Sequence, residues 1–174
     1  VYRKQDDPSQ MHKNDETFEK CYEHLANKGT ILIFPEGVSI TQRKLEKIKT
    51  GAARIALGAE AAHGYSLGVK ILTVGLNYSN PHRFQSDLFI NLDEPIAVAD
   101  FKTLHQEDSF KAAQALTEKI RERLEHHIIA IEDAETEKLV KNIELIFQSR
   151  LQQLSAENEQ PAGPSDQFEM TKKI

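Results

Sequence analysis

Four residues, Ile31-Leu32-Ile33-Phe34, closed by Pro35, constrain this chain more than any other stretch. A short apolar run ended by a turn signal reads as a buried strand. It stops at Phe34 because Pro35 has no N–H for a ladder and pushes its predecessor into extended geometry. Glu36 then puts a carboxylate at the carboxyl end of the strand, and Gly37 permits positive φ and close approach of the backbone to a ligand. Arg43, Lys44, Lys47 and Lys49 follow, and a helix is expected from Thr50-Gly51. A strand end, a group of cations and a helix N-terminus together suit an anion. The same residues also describe an ordinary strand-to-helix loop with a solvated basic face, which is the commoner fate of a cation run.

The pattern around this stretch sets the fold class. Asn14 is a fitting N-cap, with Asp15 and Glu16 in the first turn. Phe18, Cys21, Tyr22 and Leu25 follow at helical spacing, and Gly29 suits the stop. Beyond the strand, Thr50 to Ala62 is an Ala-rich helix with Ile55 and Leu57 inward, ended by Gly64. Val69 to Leu76 reads as a second strand, Asn77 to Pro81 as a turn and Asp87 to Leu92 as a third strand. Helices alternating with strands predict an α/β fold whose mixed, partly parallel sheet is flanked by helices. The short link after Gly68 leaves room for one antiparallel pair. Asp108 or Ser109 can cap a long helix bearing Phe110, Ala113, Leu116, Ile120, Leu124, Ile128 and Ile131 at steps of three and four. Glu135 to Leu154 keeps the helical pattern, and Ser155 to Ser165 has linker composition. The expected organisation is a main domain over 1–131, a C-terminal helical extension over 132–155, and a linker leading into a further segment over 156–174. Val1-Tyr2-Arg3 looks like a strand end and Phe168 to Ile174 like a helix cut short, so a piece of a longer protein is expected.

Composition removes some function classes. A formal charge of −5 argues against non-specific nucleic-acid binding. Charged residues at 28% and apolar residues at 39% describe a soluble globular chain rather than a disordered one. Cys21 is the only cysteine, which rules out an intrachain disulfide, fits a reducing compartment, and reads as packing rather than as a nucleophile. No apolar run reaches the ~18–20 residues of a spanning helix, no signal peptide is visible, and no metal-ligand constellation stands out.

Two motif matches fail on context. Gly64-Tyr65-Ser66-Leu67-Gly68 is formally G-x-S-x-G, but a nucleophile elbow needs strand, serine, helix in that order. Here the predicted order is helix, Ser66, strand. His82 and Asp87 have the spacing of a catalytic dyad. With seven histidines in the chain that spacing is easily met by chance, and Asp87 can simply start a strand.

Phe34-Pro35-Glu36-Gly37-Val38-Ser39 resembles the third sequence block of the glycerolipid acyltransferases, which acylate glycerol 3-phosphate and 1-acylglycerol 3-phosphate (lysophosphatidate). Other stretches match in the same order. Val1-Tyr2-Arg3 is similar to the end of the second block. Lys49-Thr50-Gly51-Ala52-Ala53 resembles the K-x-G-x-x-x-x-A segment that opens the next helix. Val74-Gly75-Leu76-Asn77-Tyr78 resembles the fourth block, with Thr73 where the family carries proline, and Leu92 to Ile96 resembles its closing strand end. The resemblance covers about the first hundred residues. The family's catalytic block, a histidine and an aspartate four residues apart, lies ahead of the second block. His82 and Asp87 come after F-P-E-G and are in the wrong place, so the dyad is expected ahead of Val1 and this chain alone is expected to be inactive.

The resemblance implies an O-acyltransferase of phospholipid synthesis whose acyl donor is acyl-CoA or acyl carrier protein, without a cofactor. It assigns the acceptor pocket to Arg3, Phe34, Pro35, Glu36, Gly37, Ser39 and Lys49. Arg3 would fork the phosphate, Gly37 would let backbone N–H groups approach, and Glu36 would orient Arg3 or accept from a glycerol hydroxyl. Ser39 would add a donor and Lys49 a cation. The partners would be glycerol phosphate or lysophosphatidate, the acyl donor, and a membrane surface on its cytoplasmic face. Two other readings are a non-catalytic interaction module built on the helices from Ser109 to Leu154, and a serine hydrolase using Ser66.

Overall fold

The computed structural model describes residues 13–38, 43–80, 84–131, 133, 135–140, 142–143, 146, 168–169 and 171–172. They fall into two compact units. The first draws on Val1–Val38, Lys47–Leu72 and Glu94–Arg121, and the second on Ser39–Glu46, Thr73–Asp93 and Glu122–Ile174.

In the first unit, α1 spans Lys13–Ala26 and α2 spans Gly51–Ala62. The end of α1 closes in two bonds, Lys28 N–H to Leu25 C=O at 3.0 Å and Gly29 N–H to His24 C=O at 2.8 Å. The left-handed residue is therefore Lys28, at φ +60°, and not the glycine expected there. Gly29 is needed for a different reason: a Cβ on it would overlap the His24 ring. Along α2, Ala53, Ile55, Ala56, Leu57 and Ala59 are buried. Their small size lets α1 come close, so that Tyr22 lies against Gly58 with no room for a methyl group. Two short strands, β1 (Lys70–Ile71) and β4 (Ile96–Ala97), pair antiparallel. A 3₁₀ turn, Val98–Phe101, follows β4, packs on α2 through the fully buried Val98, and runs into α3 (Lys102–Glu107).

The second unit contains an antiparallel hairpin of β2 (Val74–Tyr78) and β3 (Leu88–Leu92). Its register pairs Val74 with Leu92, Leu76 with Ile90 and Tyr78 with Leu88, which puts these six apolar side chains on one face. Gly75, Asn77, Phe89 and Asn91 point the other way.

The longest helix, α4, spans Ser109–His127. Asp108 caps it, its Oδ1 accepting the N–H groups of Phe110 and Lys111 at 3.0 Å each. Ala112, Ala113, Leu116, Ile120 and Leu124 form its buried stripe. Phe110, expected on that stripe, is 68% exposed. It stands one turn before the stripe closes over a core, and Ala112 fills the inward position instead. Residues 135–140 are helical, with Thr136 N–H bonded to Asp133 at 2.7 Å. The expected linker from Ser155 to Ser165 lies outside the described residues.

The broad α/β class holds, with two corrections. Every strand pair among the described residues is antiparallel, whereas a partly parallel sheet was expected. The cause is that the run expected as one strand over Val69 to Leu76 breaks at Leu72-Thr73 into β1 and β2, and each half takes its own antiparallel partner. The second correction concerns Ile31 to Phe34. The run is extended but is not a strand, and Leu32 and Phe34 are 81% and 68% exposed. A run becomes a strand only when a neighbour takes its N–H and C=O groups, and no described strand pairs with this one.

Candidate functional site

Of the residues singled out by sequence, Phe34, Pro35, Glu36, Gly37 and Lys49 lie around a tight turn in the first unit. Phe34 C=O accepts the N–H of Gly37 at 3.1 Å and closes the turn Phe34-Pro35-Glu36-Gly37. Pro35 suits the first corner because its ring fixes φ. Gly37 has φ +68°, a conformation that disfavours any side chain. Pro35 C=O accepts the N–H of Lys49 at 2.8 Å. The turn is thus tied to the segment that enters α2 two residues later. The N-cap residue of α2, Thr50, makes no side-chain cap bond, and the first turn carries no acidic side chain. Gly51, Ala52 and Ala53 offer no polar side chain, so nothing from the sequence of that turn neutralises the positive helix end.

Glu36 and Gly37 are half-buried, and Lys49 and Phe34 are exposed. Arg3 and Ser39 lie outside the described residues. Arg54, which closes the basic segment, stacks over the Phe18 ring at 5.0 Å. In the second unit Lys44 is paired with Glu46 at 3.8 Å on the surface. Lys47, Lys49 and Arg54 are the exposed cations of the segment that lie in the same unit as the turn.

Ser66 is not on a nucleophile elbow. It follows α2 and precedes β1, and its hydroxyl donates to His63 C=O at 2.7 Å. The glycine-rich turn that holds it is gripped by Glu60. This carboxylate is wholly buried and accepts the N–H of Leu67 at 3.2 Å and of Val69 at 2.5 Å. Asp87 immediately precedes β3, with its N–H donating to Ser79 Oγ at 3.0 Å. His82 lies outside the described residues.

Two further polar groups were not singled out from the sequence. In the first unit Tyr65, at φ +61°, places its hydroxyl 2.7 Å from His105 Nδ1. Burial holds the His105 imidazole below its ordinary pKa. In the second unit the buried Asp93 accepts from Arg123 at 2.9 Å and lies 3.1 Å from His127 Nε2. The His127 carbonyl in turn accepts from Asn77 Nδ2 at 2.9 Å, and Ile129 N–H donates to Asn77 Oδ1 at 3.0 Å. The sequence hint was the four-residue spacing of Arg123 and His127, which puts both on one helix face. Nothing in the sequence pointed to Asp93 as their partner. Among the described residues no group of three or more acidic, histidine or cysteine side chains could hold a metal, and no helix is long and apolar enough to cross a membrane.

Comparison with known proteins matches residues 4–77 to the Acyltransferase family. The chain is 31% identical over 136 residues to glycerol-3-phosphate O-acyltransferase 1 of Saccharomyces cerevisiae, covering 76% of this chain and 18% of that protein. It is 35% identical over 112 residues to glycerol-3-phosphate O-acyltransferase 2 of the same yeast, covering 64% and 15%. An uncharacterized acyltransferase of Schizosaccharomyces pombe is 32% identical over 74 residues, 42% of this chain and 11% of that protein. The chain therefore spans less than a fifth of the length of these relatives. No solved structure matches.

Proposed function

This chain belongs to the glycerolipid acyltransferase family, and from that we propose that residues 34–37 and 49–53 form the acceptor side of an O-acyltransferase acting on glycerol 3-phosphate or its 1-acyl derivative. The donor is an acyl thioester on coenzyme A or acyl carrier protein. A base removes the acceptor hydroxyl proton as the oxygen attacks the thioester carbonyl. The tetrahedral adduct then expels the thiolate, which takes up a proton, and an ester remains. None of the residues assigned here is that base. By family resemblance it is a histidine held by an aspartate, and no cofactor takes part.

The acceptor site has to fix the phosphate so that the hydroxyl meets both base and carbonyl. What supports this reading most is the bond from Lys49 N–H to Pro35 C=O at 2.8 Å. It ties the Phe34-Pro35-Glu36-Gly37 turn to the entry of α2, whose first turn has no acidic side chain and whose N-cap makes no side-chain bond. Lys49 adds a cation at the same place; family resemblance assigns further phosphate contacts to Arg3 and Ser39, which lie outside the described residues. Glu36 is an anion, so it serves the glycerol hydroxyl or Arg3 rather than the phosphate. Because the product partitions into lipid, the whole protein works at the cytoplasmic face of a membrane.

Titration of the isotopically labelled chain with glycerol 3-phosphate, with plain glycerol as control, tests the assignment. Saturable resonance shifts are expected at Glu36, Gly37 and Lys49 to Ala53 with the phosphate ester alone. Shifts confined to other residues, or equal shifts with glycerol, would reject it.

A further inference from the structure

Within the second unit, the inward face of the hairpin and the end of α4 carry a short segment from much later in the chain. Phe168 and Thr171 are 4% and 5% exposed, while Glu169 and Lys172 between and beside them face solvent. That is one helical turn with one face down. The Phe168 ring lies 5.0 Å from the Phe89 ring, centroid to centroid, tilted by 41°. Phe89 points to the same side of the hairpin as Asn77, its cross-strand partner. The Lys172 ammonium donates to the C=O groups of Glu125 and His126, in the last turn of α4. A cation there meets the negative end of the helix. Lys172 further sits over the Phe168 ring at 5.6 Å, so the two anchors brace one another.

We propose that Phe89 and the terminal carbonyls of α4 form a docking surface for a short aromatic–basic helical turn, and that its occupant is this chain's own Phe168–Lys172 segment, acting as a clasp. The two anchors are complementary to the surface in kind, one an aromatic ring on an aromatic ring and the other a cation on helix-end carbonyls. An apolar contact alone would not select lysine four residues beyond the phenylalanine. The clasp holds the last turn of α4 in place over the hairpin, on the side where Asn77 already grips the His127 carbonyl. It adds a second fastening to the joint that Asn77 makes.

Hydrogen exchange on the full chain, read segment by segment, tests this. In the Phe168→Ala/Lys172→Ala double variant, exchange is expected to rise about tenfold or more over residues 88–92 and 124–129, while α2 keeps its wild-type protection. Lys172→Arg, which keeps a donor and the charge, is expected to retain protection in both segments. Unchanged exchange over 88–92 and 124–129 in the double variant would overturn the proposal. So would a rise as large in α2, which would mark general loss of structure, or a Lys172→Arg variant as unprotected as the double variant.

Discussion

The Glu60 carboxylate accepts the Val69 N–H at 2.5 Å from a position with no solvent exposure. Its other oxygen takes the Leu67 N–H. One buried side chain on α2 thus satisfies two backbone donors of the turn that leads into β1. Glu60→Ala leaves two part-buried donors without their acceptor, which is expected to destabilise the first unit by about 2–4 kcal/mol. Glu60→Gln keeps one acceptor but turns an amide N–H toward the second donor, at about 1–3 kcal/mol. Urea denaturation midpoints check the order wild type, Gln, Ala. Equal midpoints for all three would show the grip to be idle.

Gly75 and Asn77 make a second testable joint. A Cβ on Gly75 would overlap the His127 carbonyl, which is backbone and cannot swing aside. Gly75→Ala is therefore expected to cost about 2–4 kcal/mol. Asn77→Ala removes the bonds to His127 C=O and from Ile129 N–H, at about 1–3 kcal/mol. The two residues share one partner, so the losses in the double variant should fall short of their sum. A double-mutant cycle by thermal or urea unfolding measures this.

His105 makes stability depend on pH in a definite direction. Burial lowers its pKa in the folded chain below the ordinary 6.5, so the unfolded chain takes up the proton first. The contribution is fully present above pH 6.5 and is lost as pH falls through the lower folded value. His105→Gln is expected to flatten the decline of the urea midpoint between pH 7 and pH 5. An unchanged decline would remove His105 as its source.

The proposed acceptor turn separates backbone from charge. Gly37→Ala places a Cβ at φ +68°, and is expected to cost about 1–2 kcal/mol of stability along with any effect on binding. Lys49→Ala changes an exposed side chain and leaves the N–H that bonds Pro35 in place. It should leave stability within about 0.5 kcal/mol, while weakening glycerol 3-phosphate binding in a salt-sensitive way. Calorimetric titration at two ionic strengths checks the second effect.

What was legible in the sequence was local. The capping carboxylate of Asp108, the stripe from Ala113 to Leu124 and the stop at Gly64 each follow from residues a few positions apart. Ser66 was also legible, since the order helix, serine, strand could be read directly. What failed was pairing. Nothing in Val69 to Leu76 says that Leu72-Thr73 is a break, because both halves are equally apolar and the choice of partner is made by residues about 20 positions later. Phe110 fitted the helical period, but period alone does not say where a core ends. The Asp93 to Arg123 contact spans thirty residues and leaves no local signal.

The exposed run Ile31-Leu32-Ile33-Phe34 carries a cost in solution behaviour. Four apolar, β-favouring residues without a charge form a template for self-association between molecules. Pro35 limits the damage, because it cannot donate to a growing ladder and keeps the run shorter than the six or seven residues such stacking favours. Light scattering of concentrated samples should therefore rise when Pro35 is replaced by Val and fall when Leu32 is replaced by Lys. On this view the proline also acts as a gatekeeper against aggregation.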